Sequence, residues 1–307
     1  MMHSATNALS ILGLSKNYGQ FQVLKDLELT VATGAIHGLV GLNGSGKTTT
    51  LECLLGLQTF ASGEIQVLGQ TPDRLHSLQG KVAAIFDAPS LHPDLTVHAC
   101  LQQAQWMCAG AVHSPEEVAA WLGISRYLKF KIRQLSLGNR RRAAIAHALI
   151  GGPRLIILDE PFNGLDAGGV DDVLQLIADL NRDQGISFLL SSHQLPYLEQ
   201  VCTHIAVLHA GRIARSDAIE TLLSSSEAQA LIRTPDNRAL EKVLAQDGRT
   251  EVVGSSTEGL IRVNLKELDS AELNRLLVRE QIAVQELILE RATLDRMFRE
   301  LTREAGP

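Results

Sequence analysis

The chain has 307 residues, 45% hydrophobic and 20% charged, so it can bury a sizeable core and is expected to divide into two domains. A net charge of -6 argues against a general nucleic-acid binder, which needs a basic field to neutralise phosphates. Cys53, Cys100, Cys108 and Cys202 make no CxxC pair and fit reduced thiols in a cytosol.

In chain order, the opening "MMHSATNALSILGLSKNYGQ" lacks the basic flank and unbroken apolar core of a signal peptide. No uninterrupted apolar run is long enough to span a bilayer, so a membrane process would need a separate chain to do the crossing. Up to about Gly69, the strand patterns "FQVLKDLELTVATG" and "SGEIQVLG" flank a strand-loop-helix unit over 38–57. Residues from about His92 to Ile150 read as mostly helical. "PDLTVHACLQQAQWMCA" offers Asp94 or Thr96 as a cap, and "SPEEVAAWLGI" has a Ser-Pro-acid opening. "PRLIILDEP" is an apolar run suited to a strand buried on both faces. A helix over 170–183, a second buried strand in "GISFLLSSH" and a hairpin in "THIAVLHAGRIA" complete a mainly parallel α/β pattern.

Beyond about Glu220 the character changes. "SDAIETLLSSSEAQ" reads as a serine-rich linker. Strands follow over 230–233, 251–255, 260–265 and 284–290, with helices over 237–245 and 271–280. That order matches a ferredoxin-like split βαβ arrangement. No internal repeat is present, so the first-unit pattern occurs once in the chain.

Gly41-Leu42-Asn43-Gly44-Ser45-Gly46-Lys47-Thr48 fits G-x-x-x-x-G-K-[ST], with the strand before and the helix after that the motif requires. Its glycines let backbone N–H groups and the helix N-terminus face phosphate oxygens. Lys47 is placed for the outer phosphates and Thr48 for Mg²⁺. This loop alone does not separate kinases, GTPases and transport ATPases. The discriminating stretch is "QLSLGNRRRAAIAHALI": Ser136 can cap a helix, and Gly138 leaves its N–H open to an oxyanion. The helix leads through "GGPR" into the strand "LIILDEP". Asp159 emerges at the carboxyl end of that strand, where it can hold Mg²⁺ through water, and Glu160 beside it can polarise a water.

The phosphate loop, "LSLG" at 135–138, "LIILDEP" at 155–161, "GLD" at 164–166 and "SSH" ending at His193 stand in the order of an ABC transporter ATPase subunit, which the chain resembles over about residues 9–220. The resemblance implies an ABC cassette at 1–220, with a mainly parallel sheet, an antiparallel β-subdomain and a helical subdomain at about 92–150. A C-terminal α+β accessory domain would occupy 221–307. ATP with Mg²⁺ would be bound by Gly41, Asn43, Gly44, Ser45, Gly46, Lys47, Thr48 and Thr49, and Tyr18 in "KNYGQ" would stack on adenine. Glu160 would be the general base, and His193 would contact the γ-phosphate. Two cassettes would meet head to tail, so that Ser136 and Gly138 act on the partner's nucleotide and Asp166 couples the two sites. Partners would be transmembrane permease subunits and a second copy of this cassette, on the cytoplasmic face of the membrane, with no nucleic acid expected.

Two positions depart from the family pattern. Asp87, in "AAIFDAPSLHPDLT", stands where a glutamine normally touches Mg²⁺ and the attacking water; as a carboxylate it is a candidate metal ligand and catalytic group. Asn139 follows the signature where glutamine or methionine is usual. Arg140-Arg141-Arg142 reads as a solvated or ion-paired face rather than a nucleic-acid patch. Trp106 and Trp121 read as core residues of the helical subdomain. "RATLDRMFRELT" is similar to the closing helix of exporter ATPases of the drug, antibiotic and polysaccharide class, with Leu294, Met297, Phe298 and Leu301 on one face. The alternative reading is a non-transport ABC ATPase acting on ribosomes or DNA. Such proteins carry two cassettes in a chain or a long inserted coiled coil.

Overall fold

The computed structural model describes residues 7–87, 91–224, 228–255, 259–266, 268–290 and 293–304. Residues 1–6 of the opening, 88–90 of the segment after Asp87, 225–227 of the serine-rich stretch and 291–292 of the closing motif lie outside these. The chain divides into two compact units, Met1–Ile219 and Glu220–Pro307.

In the first unit, β1 (Asn7–Tyr18) and β2 (Phe21–Ala32) pair antiparallel and lead to β3 (Ile36–Val40) and α1 (Lys47–Leu54). The strand β4 (Ser62–Val67) returns to the other edge of β1, making a three-stranded antiparallel sheet. After β5 (Val82–Ile85) the chain forms α2 (Val97–Met107), α3 (Pro115–Trp121) and α4 (Leu137–Leu149). It then runs through β6 (Leu155–Asp159), α5 (Ala167–Gln184), β7 (Ser187–Ser192), α6 (Leu195–Val201) and the hairpin of β8 (His204–His209) and β9 (Arg212–Ala218); α7 (Ile219–Ser224) starts on the last residue of this unit and continues into the second.

The six-stranded sheet has the order β5-β6-β7-β3-β8-β9 and is parallel except for β9. Every residue of β3, β6 and β7 is buried, as strands covered on both faces require. These three strands are parallel neighbours, so their carboxyl ends lie side by side on one edge. The phosphate loop, the Asp159-Glu160 pair and the Ser192-His193 pair all leave from that edge, where open α/β sheets bind ligands. Leu39, Leu155, Ile157 and Leu189 of this sheet share a core with Leu51 and Leu54 of α1 and with Leu9, Ile11, Leu24 and Leu27 of the antiparallel sheet. The loop between β3 and α1 is thereby anchored at both ends.

Local signals in the helical segment act as the sequence suggests, with one choice resolved. Thr96 caps α2, its Oγ1 accepting from Ala99 N at 3.1 Å, while Asp94 pairs with Arg133 at 2.8 Å. Ser114 and Glu117 form a capping box at α3. One expectation fails. Trp106 is 75% exposed and Trp121 is also exposed, its ring edge-on to His113, so neither is a core residue. The positions that fill the interior of α2 are Val97, Cys100, Leu101 and Ala104, spaced as one helical face that leaves Trp106 outside it. The stretch read as a linker contains the division between the two units, and its described part has regular structure: strand up to Ala218 and helix up to Ser224, with Ile219 and Leu222 buried.

The second unit runs β10 (Ala228–Arg233), α8 (Asn237–Asp247), β11 (Thr250–Ser255), β12 (Ile261–Leu265), α9 (Ser270–Arg279), β13 (Glu286–Glu290) and α10 (Leu294–Glu304). Its sheet is antiparallel in the order β11-β12-β10-β13. Leu240 and Leu244 of α8 and Leu273 and Leu277 of α9 bury against Ala230, Ile232 and Val263 of the sheet. Leu294, Met297 and Phe298 of α10 are buried and Leu301 is half-buried.

His37 on β3 is 3% exposed, stacks on His204 of β8 with ring centroids 5.7 Å apart, and leaves its Nε2 without a partner. Burial, reinforced by His204, pushes its pKa down from 6.5 to about 4. The unfolded chain therefore takes up this proton first as pH falls. Stability is full above the unfolded value and is lost between pH 6.5 and 4, by about 3 kcal/mol from this group. His37→Leu is expected to flatten the loss of thermal stability over this range relative to the native chain. An unchanged pH slope would show that His37 does not carry it.

Candidate active site

The phosphate loop needs its glycines for stated reasons. Gly46 has φ of 107°, and a Cβ there would lie 2.7 Å from Leu24 Cδ2. A Cβ on Gly41 would lie 2.6 Å from the Leu208 carbonyl oxygen. Both are backbone positions that only glycine fits. Gly46 is the N-cap of α1 and makes no side-chain cap, so first-turn N–H groups are left for an anion. Ser45 Oγ is buried in the loop without a hydrogen-bond partner. Lys47 folds back over the loop, its Nζ donating to Gly41 O at 2.8 Å and Leu42 O at 3.4 Å.

The acidic pair reaches the same place. Thr48 Oγ1 donates to Asp159 Oδ2 at 3.1 Å. Asp159 Oδ1 is buried with no partner in good hydrogen-bond geometry, and burial pushes this carboxyl above its usual range, opposed first by the nearby Ser191 hydroxyl and then by Thr48. A hydroxyl beside a desolvated carboxylate oxygen fits a divalent cation with oxygen ligands, which would add positive charge there. Glu160 follows with φ of 47°, a left-handed backbone that turns its carboxylate away from the strand direction. Its Oε1 lies 3.6 Å from Lys47 Nζ and 2.9 Å from His193 Nδ1, and Ser192 Oγ donates to its Oε2 at 2.9 Å.

Other expected site residues lie elsewhere on the unit. Ser136 is the N-cap of α4, and its Oγ accepts from both the Asn139 backbone N–H at 3.3 Å and the Asn139 Nδ2 at 3.1 Å. Asn139, whose effect the sequence does not reveal, thus orients the serine. Asp166 is the N-cap of α5, accepting from Gly169 N at 2.9 Å. Ser136, Gly138, Asn139, Arg142, Asp166 and Gly169 line a cavity of about 490 Å³ that has no phosphate-loop residue in its wall. A Cβ on Gly138 would meet nothing within 4 Å. Tyr18 ends β1, 46% exposed, with Lys16 Nζ 4.8 Å from its ring centroid. Asp87 is 55% exposed, and its Oδ1 is 3.8 Å from Arg141 Nη2.

Sequence reasoning missed three connections. Ser192 precedes His193 and holds the other oxygen of Glu160; its signal was the second serine of "SSH". Gln194 Nε2 donates to Asn163 Oδ1 at 3.0 Å, tying the segment after β7 to the one after β6. The arginine triplet is built into the fold: Arg140 donates to Leu135 O and Arg133 O, while Arg142 donates to Leu122 O and pairs with Asp172 at 2.7 Å. Arg141 is buried.

A family model described as "ABC transporter" matches residues 24–163. The chain is 32% identical to the uncharacterized ABC transporter ATP-binding protein YdbJ of Bacillus subtilis (strain 168), over 90% of this chain and 89% of that one. It is 29% identical to the bacitracin transport ATP-binding protein BcrA of Bacillus licheniformis, over 93% of this chain and 94% of the relative. Among solved structures, the dimeric structure of MJ0796, a bacterial ABC transporter cassette, superposes with a TM-score of 0.60 at 24% identity, covering 69% of this chain and 98% of that one.

Proposed function

This chain belongs to the ABC transporter ATP-binding family, and we propose that two copies of it close head to tail on MgATP and drive export through separate transmembrane permease subunits. ATP binding and hydrolysis are the activity of that family. Lys47, Ser45 and the first-turn N–H groups of α1 hold the phosphates. Thr48 and Asp159 hold Mg²⁺, which neutralises phosphate charge when bound. Glu160 takes the proton of the attacking water, with Ser192 and His193 fixing its carboxylate. Tyr18 supports the adenine.

One observation supports the dimer: the cavity at Ser136, Gly138 and Asp166 has no residue of the chain's own phosphate loop in its lining, and the space beside Gly138 is open. Oxyanion-binding groups that face no phosphate of their own chain are useful if a second copy brings one. Closure on two nucleotides and reopening after hydrolysis then move the attached membrane helices. Among the described residues no helix is long and apolar enough to cross a membrane, which supports permeases as separate chains. Export is supported by the match to the bacitracin transport relative along nearly the whole chain, second unit included, and by the closing helix with Leu294, Met297 and Phe298 buried. The second unit is read as an accessory domain, and the assembly as peripheral on the cytoplasmic face.

Purification of the tagged full chain in mild detergent is expected to recover an integral membrane subunit whose presence raises ATP turnover. Recovery of ribosomes or DNA in its place would overturn the transport reading.

A further inference from the structure

Arg141 has no part in the scheme above, yet it is a cation set inside the unit. It lies on α4, five residues past the cap, and is 6% exposed. A guanidinium so far out of water is costly unless its charge and donors are matched. Its Nη2 lies 3.8 Å from Asp87 Oδ1 and donates to the Glu160 carbonyl oxygen at 3.4 Å. Burial pushes its pKa down, and Asp87, followed by Asp159, opposes this. Asp87 is thus the leading countercharge of Arg141.

The second contact matters because of where it lands. Glu160 is one of six non-glycine residues with positive φ among those described, a conformation that needs support from its surroundings. Its N–H donates to Ser191 O at 2.8 Å, so one side of this residue is tied to the end of β7. On the carbonyl side the oxygen accepts from Asn163 N at 3.2 Å within the turn and from Arg141 Nη2 at 3.4 Å, the bond that ties it to α4. Together the three bonds hold the turn that aims the carboxylate at Lys47, Ser192 and His193, and Arg141 is the one side chain among them.

We propose that Arg141 is a positioning residue for Glu160, and that Asp87 acts on hydrolysis by holding Arg141 rather than by binding the metal. This rests on Glu160 being the general base. It also gives the Asp87 departure a physical reason: a carboxylate there balances a buried guanidinium, which a neutral amide cannot do.

The test is epistasis in steady-state ATPase assays on the full chain with MgATP, comparing Asp87→Gln, Arg141→Gln and the double variant. Arg141→Gln is expected to lower kcat by about tenfold with the KM for MgATP within about twofold. Asp87→Gln should lower kcat in the same way and leave the Mg²⁺ concentration for half-maximal rate unchanged. The double variant should match Arg141→Gln alone, because Asp87 has nothing left to hold. ATP binding serves as the folding check. If glutamine at 141 does not fold, Arg141→Lys keeps the charge and loses the planar fork, and should show the same drop in kcat. Multiplying effects in the double variant, or an increased Mg²⁺ requirement in Asp87→Gln, would overturn the proposal. Glu160→Gln is run alongside: if it hydrolyses ATP normally, the base assignment fails; if it is inactive while the other effects multiply, only the role of Arg141 fails.

Discussion

Replacing Glu160 by glutamine is expected to lower ATP turnover by about 10²- to 10⁴-fold, the range for losing a positioned general base, while leaving ATP binding intact. Glutamine keeps the shape and can keep one bond to Ser192, so the turn at 160 should survive. It cannot take a proton from water. It also removes a negative charge facing the phosphates, which favours the closed state. The variant should therefore accumulate as an ATP-dependent dimer, visible by size-exclusion chromatography with ATP and absent without it. A variant that stays monomeric with ATP and hydrolyses it at the native rate would contradict the role given to Glu160.

Replacing Lys47 by alanine is expected to act one step earlier, on binding itself. Its side chain is buried and its ammonium bonded to Gly41 O, already placed where a phosphate oxygen would share it. A charge-assisted hydrogen bond contributes about 1.5–3 kcal/mol, so nucleotide affinity should fall by about 10- to 100-fold. The Gly41 carbonyl loses its partner and Glu160 loses its nearest cation, which adds to the loss of turnover. Titration calorimetry with ATP separates this variant from Glu160→Gln: the first should bind weakly, the second at least as tightly as the native chain. Equal affinities in the two variants would remove the distinction between holding the phosphate and activating the water.

The fold was legible wherever a signal was local or periodic. The buried runs at 155–159 and 187–192 read as central parallel strands because apolar residues on both faces leave few alternatives. The phosphate loop and the Asp159-Glu160 pair could be placed together because the same sheet edge had to carry both. The missed contacts depend on pairs far apart in sequence. The helical pattern says that at most part of the arginine triplet faces solvent but not which arginine turns in, and it is the packing of α4 beside the end of β6 that directs Arg141 to Glu160. Trp106 looked like core because it is large and aromatic, but the face of α2 is set by smaller residues. Asn139 shows the same limit on a shorter scale: its amide bonding to Ser136 depends on a cap geometry that composition does not encode.

The shared reaction centre is tested most directly by mixing two inactive chains. Lys47→Ala loses its own phosphate loop and keeps Ser136 and Gly138. Gly138→Asp keeps the loop and places a carboxylate where an oxyanion should dock, and the open space around Gly138 lets the side chain fit without disturbing the fold. Each chain alone should show turnover near background. An equal mixture pairs them at random, and every mixed dimer joins one intact loop to one intact signature. Activity should then return to about a quarter of the native level. A mixture no more active than its two components would mean that each chain hydrolyses ATP with its own residues.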